Sequence, residues 1–536
     1  MEPLVSKIAS SPEFGDNFAF GKRALEALRQ LEARRVQAAH KAAPRFAKRG
    51  QLLPRARLAL LVDSGAPLLE LSSLAGFGLD KPEPHSLPGA GMFCGIGYVS
   101  GLRAMIVVDD AAIDAGAIQP MTIQKFQRAQ DIALRERLPF IHLIESAGAN
   151  LANYHVESFI TGGRNFFNLA RLSAAGIPVL GVVHGSSTAG GAYMTGLSDY
   201  VIMVRDNARA FLAGPPLLKA ATGEIADADE LGGAEMHAEV SGLAEYLAAD
   251  DAEAMAIARD VCAALSWDRT LDTLPTGREP LYPVENLLGV MPEDARKPVD
   301  MREVIAHIVD GSEFLEFKAL HGSATLCGNA AVHGQPIGIV TNNGPIDVQG
   351  ANKATHFIQA CSQSGTPLLY LQNTTGFLVG IDSERSGIIK HGSKMVQAVA
   401  NAGVPQITVQ CGASFGAGNY GMCGRGFDPN FLFLWPTART GVMGAAQAAG
   451  TMRVVAEQKA EQAGGRVDAE ALARMEGQII DTFERQTSAA YTSARLLDDG
   501  VIDPRDTRRA VALALSVCNA ARRRVLRPLS FGVGRA

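Results

Sequence analysis

Apolar positions along this chain follow two alternating rhythms. Short runs dense in β-branched and other apolar residues, "AMIVVDD" (104–110), "FIHLIES" (140–146) and "VLGVVHG" (179–185), show no polar alternation. Such runs read as strands buried on both faces. Between them, stretches such as "KFQRAQDIALRERL" from Lys125 carry apolar residues every three to four positions, as amphipathic helices do. The order strand, helix, strand, glycine turn, helix predicts crossover units and an α/β fold around a mostly parallel sheet. A charged helix is predicted over "ALEALRQLEARRVQAAHKAAPRFAKRG", and a closing helix over "ALALSVCNAARRRVLRP".

The pattern occurs twice. "KFQRAQDIALRERLPFIHLIESAGAN" from Lys125 is matched by "KATHFIQACSQSGTPLLYLQNTTGF" from Lys353. Next, "AAGIPVLGVVHGSSTAGGAY" is matched by "NAGVPQITVQCGASFGAGNY", pairing Pro178 with Pro405, Gly185 with Gly412 and Tyr193 with Tyr420 at one spacing of 227 positions. Further on, Arg209 pairs with Arg439 and Gly214 with Gly444. A chain of 536 residues also exceeds one core at about 100–200 residues per domain. Two copies of one domain are expected, over 1–274 and 275–536, joined through the Pro-rich, charged and weakly periodic segment 270–300.

Composition narrows the function. The chain is 47% hydrophobic and 20% charged with a formal net charge of −5, and no long basic run offers a nucleic-acid footprint. "MEPLVSKIASSPEFGDNF" lacks the apolar core of a signal peptide, and no segment approaches about 20 uninterrupted apolar residues, so a cytoplasmic protein without a membrane partner is expected. Seven scattered cysteines without a CxxC pair predict reduced thiols, with neither a disulfide framework nor a metal site.

The candidate chemistry lies in two glycine turns, "GSSTAGGAYMTG" (185–196) and "GASFGAGNYGMCG" (412–424). Each follows a strand and opens a helix, where backbone N–H groups lack intrahelical partners and stabilise negative charge. Small residues let a ligand reach that backbone, which makes Gly190 and Gly191, then Ala417 and Gly418, candidate donors. Neither turn is a G-x-x-x-x-G-K-S/T phosphate loop. The occupants left open are a phosphate, the oxyanion of a thioester enolate, or nothing but a closely packed helix.

At this point a resemblance becomes specific. "KRGQLLPRARLALLVDSGAPLLEL", "ESAGANL", "STAGGAY", "FLAGPPLLKAATGE", "DELGGAEMH", "QNTTGFLVG" and "GAGNYGMCGRGFDPNFLFLWPTARTGVMG" resemble the carboxyltransferase (β) subunits of biotin-dependent acyl-CoA carboxylases across nearly the whole chain. "FLAGPPLLKAATGE" and "GAGNYGMCGR" look most like the branch acting on 3-methylcrotonyl-CoA and geranyl-CoA. The resemblance implies two tandem crotonase-like (ClpP/crotonase) domains, the first on the acyl-CoA side and the second on the carboxybiotin side. It implies that Gly190 and Gly191 polarise the thioester carbonyl, and that Ala417 and Gly418 hold the ureido oxygen of biotin. It further implies biotin carried on a biotin carboxylase/biotin carrier α subunit, CoA thioesters as substrates, no metal in this subunit, and a hexamer whose sites combine the N-terminal half of one chain with the C-terminal half of another. The chain has no "AMKM" biotin-attachment sequence of its own.

Similarity also places Gly148, Ala149 and Asn150 near the CoA adenine, and Lys48 and Arg49, with Arg45 and Arg55, as a basic cluster suited to CoA phosphates or to plain solvent. His184 reads as a strand-end histidine more than a base, Tyr193 and Tyr420 as packing anchors, and Cys411 and Cys423 as buried thiols. Lys125 and Lys353 read as lysines on a solvated helix face. Within "ITGGRNFF", read as the approach to a helix at Arg164, Gly162 stands beside Gly163 where methylcrotonyl-type relatives resemble "EHFGRIFF" and have Phe. If that Phe closes the acyl pocket, the glycine opens it to a longer arm, which favours geranyl-CoA over 3-methylcrotonyl-CoA. The rival readings are a crotonase-type hydratase, which needs a carboxylate beside the first turn, a biotin-dependent decarboxylase subunit, and a non-enzymatic scaffold. Ala147, Ser187 and Asp428 depart from the family pattern without touching the turns.

Overall fold

The computed structural model of the chain describes residues 2–79, 81–148, 155–269, 276–464 and 468–534. Two compact units emerge, one of Met1–Arg29 with Pro275–Ser516 and the other of Gln30–Leu274 with Val517–Ala536.

The unit holding residues 30–274 is built on an eight-stranded sheet: β1 (Leu69–Leu71), β2 (Met92–Val99), β3 (Leu102–Asp109), β4 (Phe140–Ser146), β5 (Val179–Thr188), β6 (Tyr200–Val204), β7 (Arg209–Phe211) and β8 (Tyr246–Ala248). Its order is β1-β2-β3-β4-β5-β6-β8, with β7 beside β5. β1, β2 and β3 run antiparallel, and β3 through β8 run parallel. Every residue of β2, β3 and β4 is buried, which is why these strands carry apolar runs instead of alternation. Each fully buried Val, Ile or Leu stabilises the fold by roughly 1.5–3 kcal/mol.

The second unit repeats this plan with β9 (Leu315–Glu316), β10 (Thr325–Val332), β11 (Gln335–Asn342), β12 (Leu368–Thr374), β13 (Gln406–Phe415), β14 (Phe431–Leu434) and β15 (Arg439–Gly441). Here the order is β14-β13-β12-β11-β10-β9, with β15 beside β13. The antiparallel hairpin β10/β11 answers to β2/β3, and the parallel run β11 to β14 answers to β3 to β6. Even an irregularity is shared. β4 and β5 pair evenly to Ile144–Val183 and then jump to Ser146–Ser187, while β12 and β13 jump from Gln372–Gln410 to Thr374–Ser414. In both units the strand leading into the glycine turn therefore carries a bulge, the usual device for re-aiming a strand end.

Lys125 and Lys353 overturn the expectation of a solvated face. They sit on helices Pro120–Arg135 and Val348–Ser364 with 1% and 0% of their surface exposed. The Lys125 Nζ donates to the carbonyls of Met92 (2.8 Å) and Gly89 (3.2 Å), and burial lowers its pKa to about 8. A lysine can take a core-facing position when carbonyls at a hairpin end receive its ammonium.

Candidate active site

Both glycine turns have one backbone design. After β5, Ala189 adopts φ 55°, ψ −110° and opens the short helix Gly190–Gly196. After β13, Gly416 adopts φ 55°, ψ −146° and opens the helix Ala417–Gly421. The Ala189 N–H donates to the Phe211 carbonyl and the Gly416 N–H to the Gly441 carbonyl, both at 3.0 Å. A non-glycine residue at positive φ costs on the order of 1 kcal/mol or more, so Ala189 is held there by its surroundings. Among the described residues, the N–H groups of Gly190, Gly191, Ala417 and Gly418 have no acceptor, whereas the next donors, Ala192 and Asn419, bond back to Ala189 and Gly416. Four free amides, two per turn, are thus presented in equivalent geometry.

Space explains the small residues. A Cβ on Gly418 would lie 2.9 Å from Gly376 Cα and 3.0 Å from Thr374 Cγ2; one on Gly191 would lie 2.9 Å from Ser187 Oγ and 3.5 Å from Ser146 Cβ. Each turn is backed by a strand-end glycine at positive φ. Gly148 (φ 83°) donates to Ser146 Oγ, and Gly376 (φ 118°) donates to Thr374 Oγ1, both at 3.2 Å. The sequence reading does not single out Gly376, although aligning "ESAGA" with "NTTGF" sets it against Gly148. Ala149 and Asn150 lie outside the described residues.

The second turn lines a cleft of about 600 Å³ bounded by Gly416, Ala417, Tyr420, Val442, Phe483 and Tyr491. Phe483 comes from helix Ala469–Thr487 and Tyr491 from helix Ala489–Ala494, and nothing local in the sequence marked either. Tyr420 stacks on Phe427 and Tyr193 packs edge-on against Phe166, while about half of each side chain stays exposed. Asp498, next to the cleft-lining Leu497, is fully buried; its Oδ1 accepts from Ser493 Oγ and Gly500 N, and its Oδ2 has no partner. Burial first, then the neighbouring Asp499, pushes its carboxyl up to about 7. A carboxyl raised in the folded state stabilises the fold below its unfolded value near 3.8, and that contribution is lost as pH rises toward about 7. Asp498→Asn, a permanently neutral mimic, is expected to raise Tm above wild type at pH 8, with the gap closing as pH falls toward 4. Thermal unfolding across that range checks this, and a pH-independent gap would refute it.

Beside the first turn is a small buried slot of about 20 Å³ lined by Ile118, Ile123, Phe126, Ser146, Asn165 and Met194. Gly162 does not approach a helix entry as expected, because the helix runs from Val156 to Ala174 and both glycines are interior to it. A Cβ on Gly162 would meet Ile123 Cδ1 at 3.4 Å, so Gly162 backs the wall of the slot, while Gly163 faces open space.

Lys48 and Arg49 are exposed at and just beyond the end of helix Phe14–Lys48. Arg45 and Arg55 are engaged elsewhere, with the Ala111 carbonyl (2.8 Å) and Glu70 (3.1 Å). His184 is fully buried in β5, its Nδ1 2.6 Å from Asp251 Oδ1. Burial and the nearby Arg57 lower its pKa, so the ring is neutral near pH 7. Glu145 and Asp251 are both held by Arg57, at 2.6 and 2.9 Å, so neither is the free carboxylate a hydratase would need at the first turn. All seven cysteines are free and buried, Cys411 and Cys423 included. Among the described residues no group of His, Cys, Asp and Glu is arranged to hold a metal, and no helix is long and apolar enough to cross a membrane.

Each unit leaves an apolar face uncovered around its turn. In the first, Val156, Phe159, Ile160 and Phe167 share one exposed side of their helix, with Tyr193 and Leu212 also exposed. In the second, Val379, Ile381, Ile389, Tyr420 and Val442 are exposed.

Comparison with known proteins gives one consistent answer. Residues 45–530 match the family model described as the carboxyl transferase domain. The chain is 50% identical over 469 residues to the probable biotin-dependent acyl-coenzyme A carboxylase beta2 subunit of Mycobacterium tuberculosis, covering 87% of this chain and 88% of that one. It is 45% identical over 522 residues to the biotin-dependent 3-methylcrotonyl-coenzyme A carboxylase beta1 subunit of the same organism, covering 95% and 96%. The crystal structure of the P. aeruginosa geranyl-CoA carboxylase beta subunit matches at a TM-score of 0.92 and 50% identity over the full length of both chains.

Proposed function

Since this chain belongs to the carboxyl transferase domain family, as a carboxyltransferase β subunit of the biotin-dependent acyl-CoA carboxylases, we propose that it moves CO2 onto the γ carbon of a long branched enoyl-CoA, geranyl-CoA ahead of 3-methylcrotonyl-CoA. The observation that carries the reaction is the pair of matching turns with four free amides.

Gly190 and Gly191 direct their N–H groups at the thioester oxygen and hold the negative charge that forms when the acidic proton leaves. In a β-methyl enoyl thioester that acidity extends to the γ carbon, and the new carboxylate appears there. Carboxybiotin, delivered by an α subunit that carries biotin, supplies the CO2 and then the base, so the reaction calls for no catalytic triad in this chain. The second turn fits such a group: Ala417 and Gly418 offer two unpaired donors for a ureido oxygen, at a cleft walled by Tyr420, Val442, Phe483 and Tyr491. The acyl-CoA side is assigned to residues 1–274 and the carboxybiotin side to 275–536. Gly148, Ala149 and Asn150 are assigned to CoA, with Lys48 and Arg49 toward its phosphates. The uncovered apolar faces support assembly of several copies, as a hexamer whose sites pair the N-terminal half of one chain with the C-terminal half of another. Seven free, buried thiols support a reducing compartment, the cytoplasm.

Substrate choice rests on Gly162. With no side chain there, Ile123 has room to yield to an isoprenoid arm, each added CH2 contributing about 0.8 kcal/mol. The 50% identity to the geranyl-CoA carboxylase structure supports this choice, and the methylcrotonyl relative supports the alternative. With the biotinylated partner present, kcat/KM is expected to favour geranyl-CoA. Gly162→Phe is expected to lower it for geranyl-CoA by roughly tenfold or more, from a few lost CH2 contacts, and to spare 3-methylcrotonyl-CoA. A wild-type preference for methylcrotonyl-CoA, or equal losses on both substrates, would refute the assignment.

A further inference from the structure

The bulge beneath the first turn is propped by buried charges that its repeat twin lacks. Arg57 (1% exposed) donates from Nε to Asp251 Oδ2 at 2.9 Å and from Nη1 to Glu145 Oε2 at 2.6 Å. Asp251 also accepts from the Leu52 N–H (2.6 Å) and faces His184 Nδ1 (2.6 Å). Gln51 Nε2 donates to the His184 carbonyl (2.7 Å) and to Glu145 Oε1 (3.3 Å). His184 lies within the bulge of β5, and Glu145 immediately precedes Ser146, which backs Gly191.

In the twin unit the same bulge is held by neutral groups. Cys411 occupies the place of His184, and Asn373 takes that of Glu145. The Ala413 N–H donates to Asn373 Oδ1 (3.2 Å), and Thr437 Oγ1 donates to the Cys411 carbonyl (3.0 Å). The bulge therefore needs no ions to keep its shape. Buried ion pairs are seldom worth their desolvation as stabilisers. This one is also incompletely satisfied, because Arg57 Nη2, Gln51 Oε1 and His184 Nε2 have no partner among the described residues. A network kept in one copy at that cost, tying the segment just after Lys48 and Arg49 to the strand ends behind the turn, has a task specific to that copy.

We propose that Arg57, Asp251, His184 and Glu145 are positioning residues for the acyl-CoA half of the reaction: they fix the Gly190–Gly191 amides relative to the segment that follows Lys48 and Arg49. All four are buried behind the turn, so they act through the backbone that carries it. The inference rests on the assignment of the first turn to the thioester.

The test gives the first unit the neutral pair of its twin, as the double variant His184→Cys with Glu145→Asn, and also prepares Asp251→Asn and Arg57→Lys. Each is assembled with the biotinylated partner. Two rates are measured: carboxylation of the enoyl-CoA, and breakdown of carboxybiotin without any acyl-CoA. Misplacing a reacting group by about 1 Å costs about a hundredfold. The double variant is expected to lose about that factor in kcat, with KM for acyl-CoA within about threefold and carboxybiotin breakdown unchanged. Arg57→Lys, which keeps the charge, is expected to lose less than the double variant. Wild-type kcat in the double variant, or a parallel loss of both rates, would overturn the proposal. Should the double variant not fold, Asp251→Asn, which preserves shape, is expected to show the same split and overturns the proposal if it does not. A wild-type enzyme without acyl-CoA-dependent turnover would instead refute the assignment of the turn.

Discussion

Gly418→Ala is expected to lower kcat for the complete carboxylation at least a hundredfold while leaving acyl-CoA binding to the assembled enzyme intact. The reason is steric and local. The added Cβ would fall 2.9 Å from Gly376 Cα and 3.2 Å from Gly376 N, which are backbone atoms that cannot rotate away. The start of helix Ala417–Gly421 has to shift, and its two free amides shift with it. Loss of a single oxyanion donor costs about 10²–10³ in kcat, roughly 2.7–4 kcal/mol. Carboxybiotin breakdown without acyl-CoA is expected to fall by a similar factor, because the second turn is the one proposed to hold the ureido oxygen of biotin. Near-normal breakdown in Gly418→Ala would remove the second turn from the chemistry.

The first turn is expected to answer differently to the same insult. A Cβ on Gly191 meets the Ser187 hydroxyl at 2.9 Å, and a hydroxyl can rotate. Gly191→Ala is therefore expected to lose only about tenfold, and Gly191→Val, whose branches also press on Ser146, at least a hundredfold. In both variants carboxybiotin breakdown is expected to stay near wild type. Steady-state rates with saturating enoyl-CoA, beside rates without it, distinguish the two turns. Equal loss of both rates in the Gly191 variants would mean that the turns do not divide the labour.

The division into two copies was legible because both signals are local. Runs such as "FIHLIES" and "LLYLQNT" form buried strands at the same place in each unit, and small residues recur at both strand-to-helix turns, where a helix start must be closely approached. What escaped the sequence depends on distant partners. The network of Gln51, Leu52, Arg57, Glu145, His184 and Asp251 has bonds between residues up to 199 positions apart, and no window of sequence holds it. Lys125 reads as a surface lysine until the carbonyls of Gly89 and Met92 are brought to its ammonium. The sequence pattern predicts a helix from Arg164, yet the helix runs over Val156–Ala174 and through the Gly162–Gly163 pair, because tertiary packing overrides a penalty of about 1 kcal/mol per glycine. Phe483 and Tyr491 reach the cleft from helices whose patterns mark only which side is apolar.

The most direct measurement is a crystal structure of the assembled enzyme with a non-reactive enoyl-CoA thioester bound. The thioester oxygen is expected within hydrogen-bond distance, about 3 Å, of the Gly190 or Gly191 amide, with the Ala417–Gly418 amides of a neighbouring copy facing the same space. An oxygen bound elsewhere, with those amides paired inside the protein, would contradict the account.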